Sequence, residues 1–168
     1  MISTGSAIRN GNKTADWSDD MKVAITKVSK DEHLLRVTRR DGTAESVILN
    51  SRSFLRHDFA HFAVEAELPI ALGYWGLVAE GAALTGEGMR GHDIALAESL
   101  ADPLQTLIRR EADPSEYLKI LNRLQSAMAT LDLATRIHKR ARSLIGHWNA
   151  TPYGETMEIA WQETVSAP

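Results

Sequence analysis

Apolar and polar residues change their spacing along the chain, and the changes mark out its elements. From residue 21 the period is two: Met21, Val23 and Ile25 alternate with Lys22, Ala24 and Thr26, as a strand with one face in a core requires. A polar turn, Ser29-Lys30-Asp31-Glu32, leads to a second alternating run in which Leu35 and Val37 interleave with Arg36 and Thr38. Asp41-Gly42 is a hairpin signal of the type I′ kind, in which both central residues take positive φ. Ala44, Ser46 and Ile48 against Glu45, Val47 and Leu49 then make a third strand, so an antiparallel meander is expected.

The period next switches to that of a helix. Ser51 or Ser53 can cap a helix that runs to about Leu68 and stops at Pro69. A glycine-punctuated apolar stretch predicts a short buried helix around 75–84, and Gly86, Gly88 and Gly91 predict a loop. A helix is expected over 92–101, with Asp102-Pro103 restarting another that reaches Arg110. Asp113-Pro114-Ser115-Glu116 has the cap, the first-turn proline and the N3 acid of a helix start. Two helical stripes follow, Tyr117 to Leu131 and Leu133 to Trp148, and their phase offset places a junction near 130–132. After Thr151-Pro152-Tyr153-Gly154 the alternation returns, with Met157, Ile159 and Trp161 on one side. A lone C-terminal strand must pair with the meander. The expected fold is therefore α+β: a small four-stranded antiparallel sheet against four to six helices, in one domain over 21–162. Residues 1–20 and 163–168 read as flexible tails, and Met21 stands where translation would begin if the first twenty residues are not native.

Composition narrows the chemistry. The chain has 168 residues, no cysteine and six histidines, so thiol nucleophiles and cysteine-bound metals are excluded and any metal site must use His, carboxylate or backbone oxygen. A net charge of −3 argues against a dedicated nucleic-acid binder. The basic run from Arg136 to Arg142 reads as the solvated face of a helix. No apolar run is long enough to span a membrane and no signal peptide is recognisable, which makes a cytoplasmic protein the default expectation.

One segment carries candidate chemistry. In the helix over 53–68, Leu55, Phe59, Phe62 and Ala66 share a stripe, and Asp58, His61 and Glu65 border it with His57 slightly further round. His57 and His61 are one turn apart, the spacing that lets two imidazoles reach one metal. Glu65 is a candidate ligand beside His61, and a better orienter of it, because an ion between the two imidazoles would lie roughly 9 Å along the axis from Glu65. A further ligand must come from elsewhere: His92, Asp93, Glu98, His138 and His147 are the candidates, with His92 favoured because it follows the glycine-rich loop. Asp58 is the candidate base or supporting group.

The HDxxH pattern is similar to the zincin helix motif, in which a glutamate is the general base; here Asp58 is one methylene shorter. It also looks like the metal motif of the ubiquinone-biosynthesis accessory family, but Gly73 stands where that pattern has its glutamate. More broadly, the HDxxHxxxE helix followed by Gly73-Tyr74-Trp75-Gly76 and a C-terminal strand resembles an uncharacterised bacterial protein family, which brings no activity with it. The expected function is thus a small divalent-metal hydrolase, zinc-type, acting on an unknown substrate. The alternatives are a metal-free acid–base site and a non-enzymatic domain whose helices over 114–148 dock a partner or a second copy. Gly86-x-Gly88-x-x-Gly91 has the outline of a dinucleotide fingerprint without the strand–helix setting that motif needs.

Overall fold

The computed structural model describes residues 21–125 and 127–161, the side chains of Ser53 and Phe54 excepted; the expected tails lie outside these residues. Three strands open the fold: β1 (Met21–Lys27), β2 (Glu32–Thr38) and β3 (Ala44–Asn50). A π-helical turn over Ser51–Leu55 leads into helix α1 (Arg56–Glu67). Then come α2 (Tyr74–Ala79), α3 (His92–Arg109), α4 (Pro114–Leu124), α5 (Leu131–Ala150) and strand β4 (Thr156–Trp161). The sheet is antiparallel throughout, in the order β3-β2-β1-β4, so the C-terminal strand closes onto β1 with Met21 opposite Trp161. The α+β architecture expected from the sequence is the one found.

Local chemistry explains most element ends. The β2–β3 connection departs from type I′: Gly42 takes a φ of 84° while Asp41 stays negative. Gly42 N–H donates to the Arg39 carbonyl, and Asp41 Oδ1 accepts from Thr43 N–H at 2.8 Å. This is a type I turn closed by a left-handed glycine, and the Asp side chain selects it by accepting from the backbone two residues on. The structure begins α1 only at Arg56, after a π-helical turn, and ends α2 at Ala79 rather than near Leu84. Gly81, with φ 107°, allows Ala82 N–H to reach back to the Leu77 carbonyl at 2.9 Å, which ends that helix with a Schellman motif. Asp113 caps α4 through its side chain, as the sequence implied, and Thr130 caps α5 in the same way at the expected junction.

Helix α3 runs unbroken through Pro103, against expectation. A proline inside a helix costs about 3 kcal/mol. Leu100 and Ala101 before it, and Leu104 and Leu107 after it, are all buried in one helical core. Burying one such leucine contributes about 1.5–3 kcal/mol. Continuing the helix keeps all of them inside, which offsets the proline.

Two cores meet at α1. Ala60, Ala63 and Val64 face α3, α4 and α5, whereas Leu55, Phe59 and Phe62 face the sheet with Val23, Ile25, Leu35, Val37, Met157 and Trp161. Every residue from Phe59 to Glu65 is buried. A single amphipathic stripe was expected; the helix is instead enclosed because it lies between sheet and helical layer.

Helix α3 ends in a second Schellman motif, with Ala112 N–H on the Leu107 carbonyl at 3.0 Å. Here the left-handed position is Glu111, at φ 55°. A Cβ in that conformation costs roughly 1–2 kcal/mol, part of which glycine returns as lost chain entropy. Glu111→Gly should therefore stabilise the fold by about 0.5–1 kcal/mol, read as a higher urea midpoint at unchanged slope.

His33 on β2 is fully buried, with Nδ1 3.0 Å from Ser51 Oγ and Nε2 without a partner among the described residues. Burial pushes its pKa down from 6.5 to about 4. Between those values the unfolded chain binds a proton that the folded chain refuses, so stability from this group is lost as pH falls from 6.5 towards 4. His33→Leu should flatten the stability–pH curve across that window by at most about 3 kcal/mol, measured by denaturation at fixed pH steps.

Candidate metal centre

His57 and His61 project from adjacent turns of α1, their rings 4.6 Å apart and inclined by 64°. Glu98, on the neighbouring α3, spans both: Oε2 lies 3.1 Å from His57 Nε2 and Oε1 lies 3.4 Å from His61 Nε2. One ligand atom from each of these three residues falls within 4.8 Å of the others, so the group could hold a metal ion. Two imidazoles and a carboxylate are a donor set suited to zinc and related divalent ions, and they leave a tetrahedral position open. Close approach of the two helices brings Glu98 here. Ala60 and Ala63 on α1 and Ala97 and Ala101 on α3 are all buried in the core these two packed helices share, where small side chains let backbones draw together.

Behind His61 stands Glu65, which has no solvent exposure. Its Oε1 accepts from His61 Nδ1 at 3.0 Å and from Tyr74 N–H at 2.9 Å; its Oε2 accepts from Trp75 N–H at 2.9 Å. The carboxylate thus caps the first turn of α2, where free N–H groups and the helix dipole favour an anion. The same bond gives His61 the tautomer with Nδ1 protonated and turns Nε2 towards Glu98 and His57. Burial opposes charge on the His61 ring, but the hydrogen bond and charge of Glu65, with the charge of Glu98, outweigh it and hold its pKa above the usual histidine value.

The glycines of Gly73-Tyr74-Trp75-Gly76 follow from this arrangement. A Cβ on Gly73 would lie 2.4 Å from Glu65 Cδ, and one on Gly76 would lie 1.9 Å from the Ala71 carbonyl oxygen. Backbone and carboxylate approach each other more closely than any side chain allows. Trp75 then seals the segment, donating from Nε1 to the Asp58 carbonyl at 3.1 Å and packing edge-on against Phe62.

Alongside the triad opens a half-enclosed cavity of about 370 Å³, lined by Asp58, Tyr74, Leu84, Met89 and Ile94 together with His57, His61 and Glu98. Burial pushes the Asp58 carboxyl up to about 7; the charge of Glu98 adds to the rise and His61 opposes it. Tyr74 does not face the cavity as a free acid, since its hydroxyl donates to the Leu84 carbonyl at 2.7 Å. Arg39 and Glu45 hold the segment above it: the guanidinium donates to the Val78 and Ala82 carbonyls, and Glu45 accepts from Leu84 N–H.

The structure therefore brings His57, His61 and Asp58 together at one cavity edge, as the helix wheel implied. It corrects two assignments. Glu65 meets Nδ1 of His61, on the side away from Glu98, which is the orienting place rather than the ligand place, and is committed to α2. His92 is exposed at the first position of α3, six residues and about 9 Å along the axis from Glu98, and stands outside the group. Glu98 fills that place. It was one of four donors ranked behind His92 in the sequence, and what singles it out, the packing of α1 against α3, is a property of the tertiary structure. Asp93 is used otherwise, accepting from Leu72 N–H.

Comparison with protein-family models, with curated proteins and with solved structures finds no match to this chain. The resemblances of its α1 motif rest on the residues of that motif.

Gly73→Ala should destabilise the protein by about 2 kcal/mol or more, because the new methyl displaces a buried carboxylate from its partners. Gly146, where a Cβ on α5 meets nothing within 4 Å, is the contrast. There the same substitution should stabilise by up to about 1 kcal/mol through helix propensity. Chemical denaturation of the two variants reads both signs.

Proposed function

We propose that the chain is a divalent-metal-dependent hydrolase, with a zinc-type ion held by His57, His61 and Glu98 and with Asp58 as the proton-transferring group beside it. The observation that carries this reading is the position of the His61 ring between two carboxylates: Nδ1 lies 3.0 Å from Glu65 and Nε2 lies 3.4 Å from Glu98. A neutral imidazole can donate to only one of them. The other side calls for a cation, which is either a second proton on the ring or a metal ion; a metal ion shared with His57 would serve both imidazoles and Glu98 at once. An ion bound there would lower the pKa of a water in its open position and polarise a substrate oxygen. Glu65 would keep the imidazole in its liganding tautomer, a role that in metal sites is worth roughly 10–100-fold in affinity. The cavity of about 370 Å³ offers space for a small substrate whose apolar part meets Leu84, Met89 and Ile94. The Asp58 carboxyl lines that cavity, positioned to pass a proton to or from a group on the reacting centre.

A second reading has one observation in its favour. Leu124, Met128 and Leu131 are 41%, 39% and 54% exposed around the α4–α5 junction, an apolar patch of the kind that docks another helix or a second copy. In that case the His57–His61–Glu98 cluster is a protonated polar network that ties α1 to α3.

Metal analysis of untagged protein separates the two. About one zinc per chain is expected after dialysis, with loss of the ion in the His57→Ala/His61→Ala variant and at least about tenfold weaker binding in Glu98→Gln. Protein that stays metal-free after incubation with zinc, with its fold unchanged, would leave the interaction reading.

A further inference from the structure

On the other side of α1 lies a second and larger cavity, of about 540 Å³, which the metal centre does not use. Its walls come from five parts of the fold: Lys30 from the β1–β2 turn, Arg52 from the π-helical turn, Arg56 and Phe59 from α1, Arg109 from α3, and Trp148 from α5. Helical geometry separates it from the first cavity, because Arg56 and Phe59 point away from the edge that carries His57 and His61.

The charge here runs against that of the chain. The protein carries a net −3, yet among the described residues this cavity is lined by four cations and by no carboxylate. Arg52 pairs with Asp31; among the described residues Lys30, Arg56 and Arg109 form no ion pair. Arg109 has a local reason to be where it is, since a cation in the last turn of α3 complements the helix dipole. Arg56 has no such reason: it follows directly on the π-helical turn within continuous helical backbone, so its charge answers no helix end. Side chains brought together from separate elements, unneutralised and facing one cavity, are a preformed anion site. Guanidinium groups match the oxygens of a phosphate in pairs, and Gln105, Thr106 and Asn149 add neutral hydrogen-bonding groups around them.

The floor is apolar. Leu55 and Phe59 are buried, and the half-buried Trp148 presents an indole braced by Lys27, whose ammonium lies 4.7 Å from the ring centroid and donates to the Trp148 carbonyl at 2.7 Å. A site with a cationic rim, an aromatic floor and this volume accommodates a ligand with an anionic head and a flat apolar body. We propose that this cavity binds a small phosphorylated molecule of nucleoside-monophosphate size, its phosphate on Arg56 and Arg109 and its planar part against Trp148 and Phe59. The proposal is independent of metal binding on the opposite edge of α1.

Calorimetric titration of the full chain with AMP, adenosine and inorganic phosphate, each at low and at high salt, tests it. One AMP per chain is expected, with adenosine and inorganic phosphate each at least about tenfold weaker, because each engages only half of the site. Added salt should weaken AMP binding. Arg56→Ala/Arg109→Ala should lower AMP affinity by at least about tenfold, and Thr106→Glu, which places a carboxylate on the exposed rim, should do the same while circular dichroism shows the fold intact. His57→Ala/His61→Ala should leave AMP binding unchanged. Absence of saturable AMP binding, equal affinity for inorganic phosphate, or insensitivity to the two rim variants would overturn the proposal, as would loss of binding in the histidine variant alone.

Discussion

A carboxylate closed off from water is the interaction on which the rest of this structure turns. Glu65 sits at the meeting point of α1, α2 and the segment between them, with no exposed surface and with His61 Nδ1, Tyr74 N–H and Trp75 N–H donating to its carboxylate. Burying an ionised group without partners costs several kcal/mol or more, so the backbone must bring N–H groups to it. It does so by starting α2 there, and the start is possible because Gly73 and Gly76 have no side chains to hold the chain back. Once Glu65 is held, His61 has one orientation, and Nε2 must look towards Glu98. The same carboxylate ends as a cap for one helix, a brace for another and a selector of tautomer. None of these roles can be removed without exposing the others.

The position of α1 between two cores explains why so much chemistry collects on one helix. Its apolar residues divide between the sheet side and the helical side, and the two arcs left over are where polar side chains can emerge. One arc carries His57, Asp58 and His61, and the other carries Arg56. Each opens into its own cavity, one bounded by acids and imidazoles and the other by cations. A helix packed on one side only would have exposed these residues to bulk water, where their charges would be screened and their geometry loose.

Local signals made most of the fold legible. Strict alternation over 21–26, 35–38 and 157–161 specified strands, and an unpaired C-terminal strand had only the meander to join. Asp113 and Thr130 cap their helices by short-range hydrogen bonds that need no tertiary partner. Failures came where distant burial overrode local preference, or where one local bond outweighed the commoner turn type. Pro103 should stop a helix, and does not, because leucines on both sides of it are held in one core. The β2–β3 turn chose another type because the Asp41 carboxylate binds the backbone directly. In the site, the i, i+4 histidines and the neighbouring Asp58 were visible as a pattern on one helix. The partner from α3 was not, since nothing in the spacing between residues 61 and 98 encodes which turn of the second helix faces the first.

By itself, then, the sequence determined most of the secondary elements, the closure of the sheet and the edge of α1 on which the candidate metal ligands stand, all consequences of periodicity and of bonds between near neighbours. Tertiary structure alone decided that Glu65 faces inward to cap α2, that Glu98 rather than His92 meets the two histidines, and that four cations from separate elements surround one cavity. These depend on the depth and rotation at which helices pack, which are set by the volumes of buried side chains such as Ala60, Ala97 and Ala101. Such contacts join residues far apart in the chain, and no local pattern records them.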